Sequence, residues 1–156
     1  MIADFLGVLR NGVLIAALSA WALAQVIKLP VEYARSRRWN WALLFRVGGM
    51  PSSHSALVAA AAHGIGLTTG FNSPYFAGAV VLAVIVIYDA TGIRRQAGRH
   101  AEVINTMVNN LVEGHPLRQE QLREVLGHSP MEAIVGMLMG LVLAQVLVPW
   151  LTRVIS

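Results

Sequence analysis

Four apolar runs constrain this chain more than any other feature. Val13 to Ile27 is broken only by Ser19 and Gln25, and it ends at Lys28 and Pro30. His54 to Thr69 carries no acid, Lys or Arg and is rich in Ala and Gly. Tyr75 to Tyr88 opens after Ser73-Pro74, and Ala133 to Leu151 holds one polar residue, Gln145. Crossing the roughly 30 Å hydrocarbon core takes about 20 apolar residues as helix. The third run spans only about 21 Å at 1.5 Å per residue, so it must extend past Asp89 or the bilayer must thin. The first run lacks the basic start and small-residue cleavage site of a signal peptide, so it reads as a retained helix. These runs predict an all-α integral membrane protein, one domain over 1–156, with about four transmembrane helices near 11–29, 54–70, 74–90 and 131–151. Charged residues are 13% of the chain, against about 25% in a soluble domain. Cys is absent, which excludes disulfides, thiolate nucleophiles and thiolate metal sites.

Charge distribution orients the spans. Lys28, Arg35, Arg37, Arg38 and Arg46 lie in the 28–53 segment, and Arg94, Arg95, Arg99, Arg118 and Arg123 lie in 89–132. That is ten of the twelve basic residues. With four spans both segments fall on one side, and the positive-inside rule makes that side cytoplasmic. The bacterial inner membrane is the expected location. Nucleic acid is not expected as a partner, because the basic residues flank lipid-buried helices and no reading module is visible. Membrane lipids are. In 96–127, Ala101, Ile104, Val108, Leu111 and Val112 recur at helical spacing. Leu117, Leu122, Val125 and Leu126 form a second amphipathic piece beyond Gly114-His115-Pro116. Both predict helices at the membrane surface or over the bundle.

Four polar clusters sit at the ends of the spans: Lys28 to Arg35, Pro51 to His54, Asp89 to Arg95, and His128 to Glu132. The topology puts all four at one membrane face, where converging Arg, Lys and His make an anion site. Ser52 and Ser53 precede His54 at a helix start, whose free N–H groups and dipole suit phosphate. The same serines also read as an ordinary N-cap. Glu132 stands four residues after His128, a spacing that shares a helical face and lets the carboxylate hold one ring nitrogen. Ser129-Pro130-Met131-Glu132 equally reads as a capping box, with Glu132 serving the backbone. His63, nine positions from His54, reads as a helix-contact hydrogen bonder. Gly136 and Gly140 form a G-x-x-x-G pair for helix packing. Asp89 with Glu132 is a poor magnesium pair beside so many arginines, so no metal and no cofactor are expected.

Three strings resemble the divergent branch of the PAP2 acid phosphatase and vanadium haloperoxidase superfamily. They are Gly48-Gly49-Met50-Pro51-Ser52-Ser53-His54-Ser55-Ala56, Asp89-Ala90-Thr91-Gly92-Ile93-Arg94-Arg95 and Leu126-Gly127-His128-Ser129-Pro130. The wider superfamily carries K-x6-R-P, P-S-G-H and S-R-x5-H-x3-D. Lys28 through Arg35 keeps the first spacing, with Ser36 for proline. Pro51-Ser52-Ser53-His54 matches the second, with Ser53 for glycine. His128-x3-Glu132 resembles the end of the third, with Glu for Asp and Gly136 following. Arg94 or Arg95 stands for its arginine, about thirty residues upstream. Arg94-x5-His100 keeps the original spacing instead, but puts Ile104 at the carboxylate position. His128 is favoured because it opens a span and retains an acid.

The resemblance implies a phosphatase acting on a lipid phosphate or polyprenyl diphosphate through a phosphohistidine. His128 would be the nucleophile, Glu132 its partner and His54 the acid. Lys28, Arg35, Arg94 or Arg95, Ser52 and Ser53 would bind the phosphoryl group, with Asp89 and His100 in support. Two other readings compete. One is a catalytically silent lipid-binding scaffold. The other is a small transporter, with Gln25, His63 and Gln145 lining a path. Small-residue helix faces suggest a homo-oligomer.

Overall fold

The computed structural model describes residues 7–44, 48–111 and 128–155. Among them there are helices and no strand. Five helices follow in chain order: α1 (Gly12–Ser36), α2 (Ser53–Thr69), α3 (Pro74–Thr91), α4 (Ile93–Leu111) and α5 (Pro130–Ile155). A short 3-10 turn, Trp41–Leu44, lies between α1 and α2. The all-helical expectation holds.

Local chemistry sets the helix starts. Asn11, Ser52 and Ser73 cap α1, α2 and α3, each side chain accepting from the N–H three residues on. Pro74 occupies the first turn of α3, where a missing N–H costs nothing. Helix α1 does not stop near 29. It passes Pro30 and runs to Ser36, where Arg37 adopts a left-handed conformation (φ 56°) and returns its N–H to Tyr33. Helices α3 and α4 are separated only at Gly92, whose φ −101° and ψ −81° break the helix.

Among the described residues three stretches are long and apolar enough to cross a membrane: Gly12–Ser36, Pro74–Val108 and Pro130–Ile155. The second answers the short third run, since helix continues past Asp89. The fourth expected span, α2, has 17 residues and rises about 26 Å. It is the central element, packed against α1, α3 and α5. The core is made of Ala16, Ala17, Ala20 and Ala24 of α1, Ala56 and Ala60 of α2, and Ala144 and Val148 of α5. Small side chains let the helix backbones approach closely, and dispersion across those contacts replaces the hydrophobic effect that lipid cannot supply. Helix α3 is the least buried of the spans and turns Val81, Leu82, Val84 and Ile85 outward. Helix α4 keeps Ala101 and Asn105 buried and exposes Val103, Ile104 and Met107. The second amphipathic piece, near 117–126, lies outside the described residues.

Candidate functional site

The four polar clusters meet at one end of the bundle, and backbone hydrogen bonds tie them together. Ser52 N–H donates to the Glu132 carbonyl at 2.9 Å, joining the start of α2 to the start of α5. His128 N–H donates to the Ala90 carbonyl at 2.8 Å, joining the approach to α5 to the last turn of α3. Lys28 Nζ reaches Ser53 Oγ at 3.5 Å, joining α1 to α2.

Two glycines and two serines shape the α2 side. Gly48 and Gly49 have φ of 108° and 81°, a region that side chains resist, and they turn the chain into Met50-Pro51. Ser52 Oγ accepts from Ser55 N–H at 3.3 Å and bonds Ser55 Oγ at 3.0 Å. Ser52, Ser53 and Ser55 are all buried. The N-cap reading of Ser52 is therefore correct. It does not exclude the other role, because Ser53 and His54 occupy the first turn that the cap creates.

Both readings of Glu132 also hold together. Its Oε2 accepts from Ser129 N–H at 3.2 Å, and Ser129 Oγ accepts from Glu132 N–H at 3.3 Å, a complete capping box. The same Oε2 lies 3.0 Å from His128 Nδ1. A carboxylate only accepts, so Nδ1 carries a proton, and in the neutral form of the ring Nε2 presents a lone pair. His128 is 2% exposed, and its Nε2 is buried with no hydrogen-bond partner among the described residues. The His54 ring stands opposite, centroid to centroid 6.5 Å at an interplanar angle of 53°.

Positive charge comes from α1. Lys28 is 2% exposed and donates to Gln25 Oε1 as well as to Ser53. Gln25 Nε2 in turn donates to the Leu44 carbonyl at 2.9 Å, anchoring the 3-10 turn. Arg35, two turns beyond Lys28, is exposed, and both cations lie within electrostatic reach of Glu132. Asp89 sits half-buried in the last turn of α3, beside Ala90. Arg94 and Arg95 fall in the first turn of α4, but the expectation for their side chains lies outside the described residues. His100 is exposed on α4, and none of the contacts given above for the cluster involves it. Among the described residues no group of three or more His, Asp and Glu is placed to hold a metal ion.

Gln25 and Ser55 are members that residue reading missed. Gln25 lies three residues before Lys28, a spacing that puts both on one helix face. That spacing was the available signal. Of the residues assigned to a transporter path, Gln25 is bound into the cluster, while His63 and Gln145 are hydrogen-bonded to each other at 2.7 Å. His63 is the helix-contact hydrogen bonder its position predicts.

The profile of the family described as the Divergent PAP2 family matches residues 9–143. A Bacillus subtilis (strain 168) protein described as uncharacterized membrane protein YuiD is 43% identical, over 89% of this chain and 95% of its own length. No solved structure matches.

Proposed function

This chain belongs to the divergent PAP2 family, and on that premise we propose that it is a membrane phosphatase that hydrolyses a lipid phosphate or polyprenyl diphosphate through a phosphohistidine. The observation that carries the reading is His128: one ring nitrogen fixed by Glu132, the other buried and unpartnered among the described residues. A neutral imidazole held this way is a nucleophile with its lone pair pre-aimed.

The reaction follows from the side chains. His128 Nε2 attacks phosphorus as the bond from phosphorus to the lipid oxygen breaks. The proton on Nδ1 stays against Glu132, which stabilises the ring as positive charge develops. His54, across the gap, gives its proton to the leaving oxygen. His54 then takes a proton from water, whose oxygen attacks the phosphohistidine and returns His128 with release of inorganic phosphate. Lys28, Arg35 and Arg94 or Arg95 neutralise the phosphoryl oxygens, with Ser52 and Ser53 at the α2 N-terminus. Preorganised positive charge is the main demand of phosphoryl transfer. The site faces the cytoplasm by the positive-inside rule, so the substrate is drawn from the inner leaflet.

Phosphate release by the purified protein tests the reading, against phosphatidic acid, phosphatidylglycerophosphate and polyprenyl diphosphates. Turnover by wild type that persists in EDTA, is blocked by orthovanadate and is abolished in His128→Ala is the expected result. Equal rates for wild type and H128A, or EDTA inhibition reversed by magnesium, overturn the mechanism. Binding of phosphorylated lipid without release favours the silent scaffold.

A further inference from the structure

One polar pair stands on the outside of the bundle, away from the cluster. His63 of α2 and Gln145 of α5 bond through Nε2 and Oε1. A carboxamide oxygen only accepts, so the imidazole donates. Both N–H groups of the Gln145 amide then make no bond among the described residues. Gln145 is exposed, and so are Leu138, Val142 and Val146 around it, at 53%, 63% and 63%. A shallow depression of about 300 Å³ lies here, lined by His63, Leu141, Val142, Gln145 and Val146.

Depth makes this costly. Gln145 is about 22 Å along α5 from Pro130 at 1.5 Å per residue, with ten residues of helix still to come. It therefore faces hydrocarbon, which offers no acceptor. Thr68 and Thr152 show how this chain handles hydroxyls in its spans: each bonds a carbonyl of its own helix at 3.0 and 2.8 Å. Gln145 does not. Its donors point to a group outside the chain.

A second copy supplies that group. Primary amides are self-complementary, since each can donate an N–H and accept at oxygen. About a two-fold axis, the second lone pair of each Gln145 Oε1 accepts from the partner amide while the first keeps His63. Leu138, Val142, Gln145 and Pro149 follow the three-and-four spacing of a left-handed helix seam, and a two-fold interface uses the same patch on both copies. We infer that the chain pairs with a second copy of itself through this face of α5, with the two Gln145 amides exchanging hydrogen bonds inside the membrane.

The test uses the full chain in liposomes, with dimer fraction read by single-molecule photobleaching as protein is diluted into lipid. Gln145→Leu keeps the bulk, removes the amide and leaves the span apolar, and should weaken association about tenfold, the value of the two exchanged bonds together in lipid. Because the chain has no Cys, Val142→Cys is a clean cross-linking probe on an otherwise unchanged sequence. It should form a disulfide-linked dimer under copper phenanthroline, whereas Val84→Cys on α3 should not. Undiminished association of Q145L overturns the proposal. So does cross-linking of V84C without V142C.

Discussion

A methyl group at position 136 tests how the site is held. The Gly136 Cα packs directly on the α2 cap: a Cβ there falls against the Ser52 carbonyl oxygen, with Ser52 C at 3.0 Å and N at 3.1 Å. These are backbone atoms, and they cannot swing aside as a side chain would. Gly136→Ala must push α5 away from α2 by about 1 Å to restore ordinary contact. Overpacking of this kind costs about 1–3 kcal/mol, and loss of the Ser52–Glu132 bond about 1 kcal/mol more. Alanine's better helix propensity returns about 1 kcal/mol. The net loss is about 1–3 kcal/mol, read as reduced resistance to SDS in mixed micelles. Function should suffer more. Glu132 rides on α5, His128 on the residues leading into it and His54 on α2, so the shift changes the gap between the rings. A 1 Å misplacement can cost about 100-fold in rate. Gly78→Ala is the control, because nothing lies within 4 Å of a Cβ at that position. If G136A resists SDS and releases phosphate as G78A does, this contact does not set the site.

Two further outcomes follow from the cluster and its place in the membrane. Lys28 is buried with its ammonium, an arrangement that costs several kcal/mol to fold. Lys28→Met should therefore leave thermal stability unchanged or raised while lowering turnover about 100-fold or more, and the reverse pattern would make Lys28 structural. Arg37→Cys should react with an impermeant maleimide only after cells are opened, and Asn72→Cys in intact cells. The opposite pattern inverts the orientation.

Hydropathy made the helices legible, because lipid-facing segments must be apolar whatever they pack against. It placed the end of α1 near 29, yet the helix continues through Pro30 to Ser36. A proline removes one bond, and the polar turns beyond it are helical without being apolar. The site was legible as four clusters because each lies at a span end. Its internal wiring was less so. Glu132 was read as either a cap or a histidine partner, while one oxygen of the carboxylate serves both. Gln25 was read as lining a path because a polar residue in an apolar run gives no hint of which neighbour it meets. The His63–Gln145 bond joins residues 82 apart, beyond what any local periodicity carries.

The 17-residue length of α2 also sets a depth. Helix α2 rises about 26 Å, and α1 rises about 24 Å between Gly12 and Lys28. Both fall short of the roughly 30 Å hydrocarbon thickness. With Gly12 at the opposite surface, this length sets Lys28, Ser53 and His128 level with the ester region of the leaflet rather than above it, where the lipid headgroup of the proposed reaction would meet them without its chains leaving the bilayer. Hydrophobic mismatch is relieved by local thinning, at fractions of a kcal/mol per Å. For the proposed lipid substrate, membrane thickness becomes a coordinate of the site: short-chain lipids should bring their phosphates down to Lys28 and His128, and long-chain lipids should hold them out of reach.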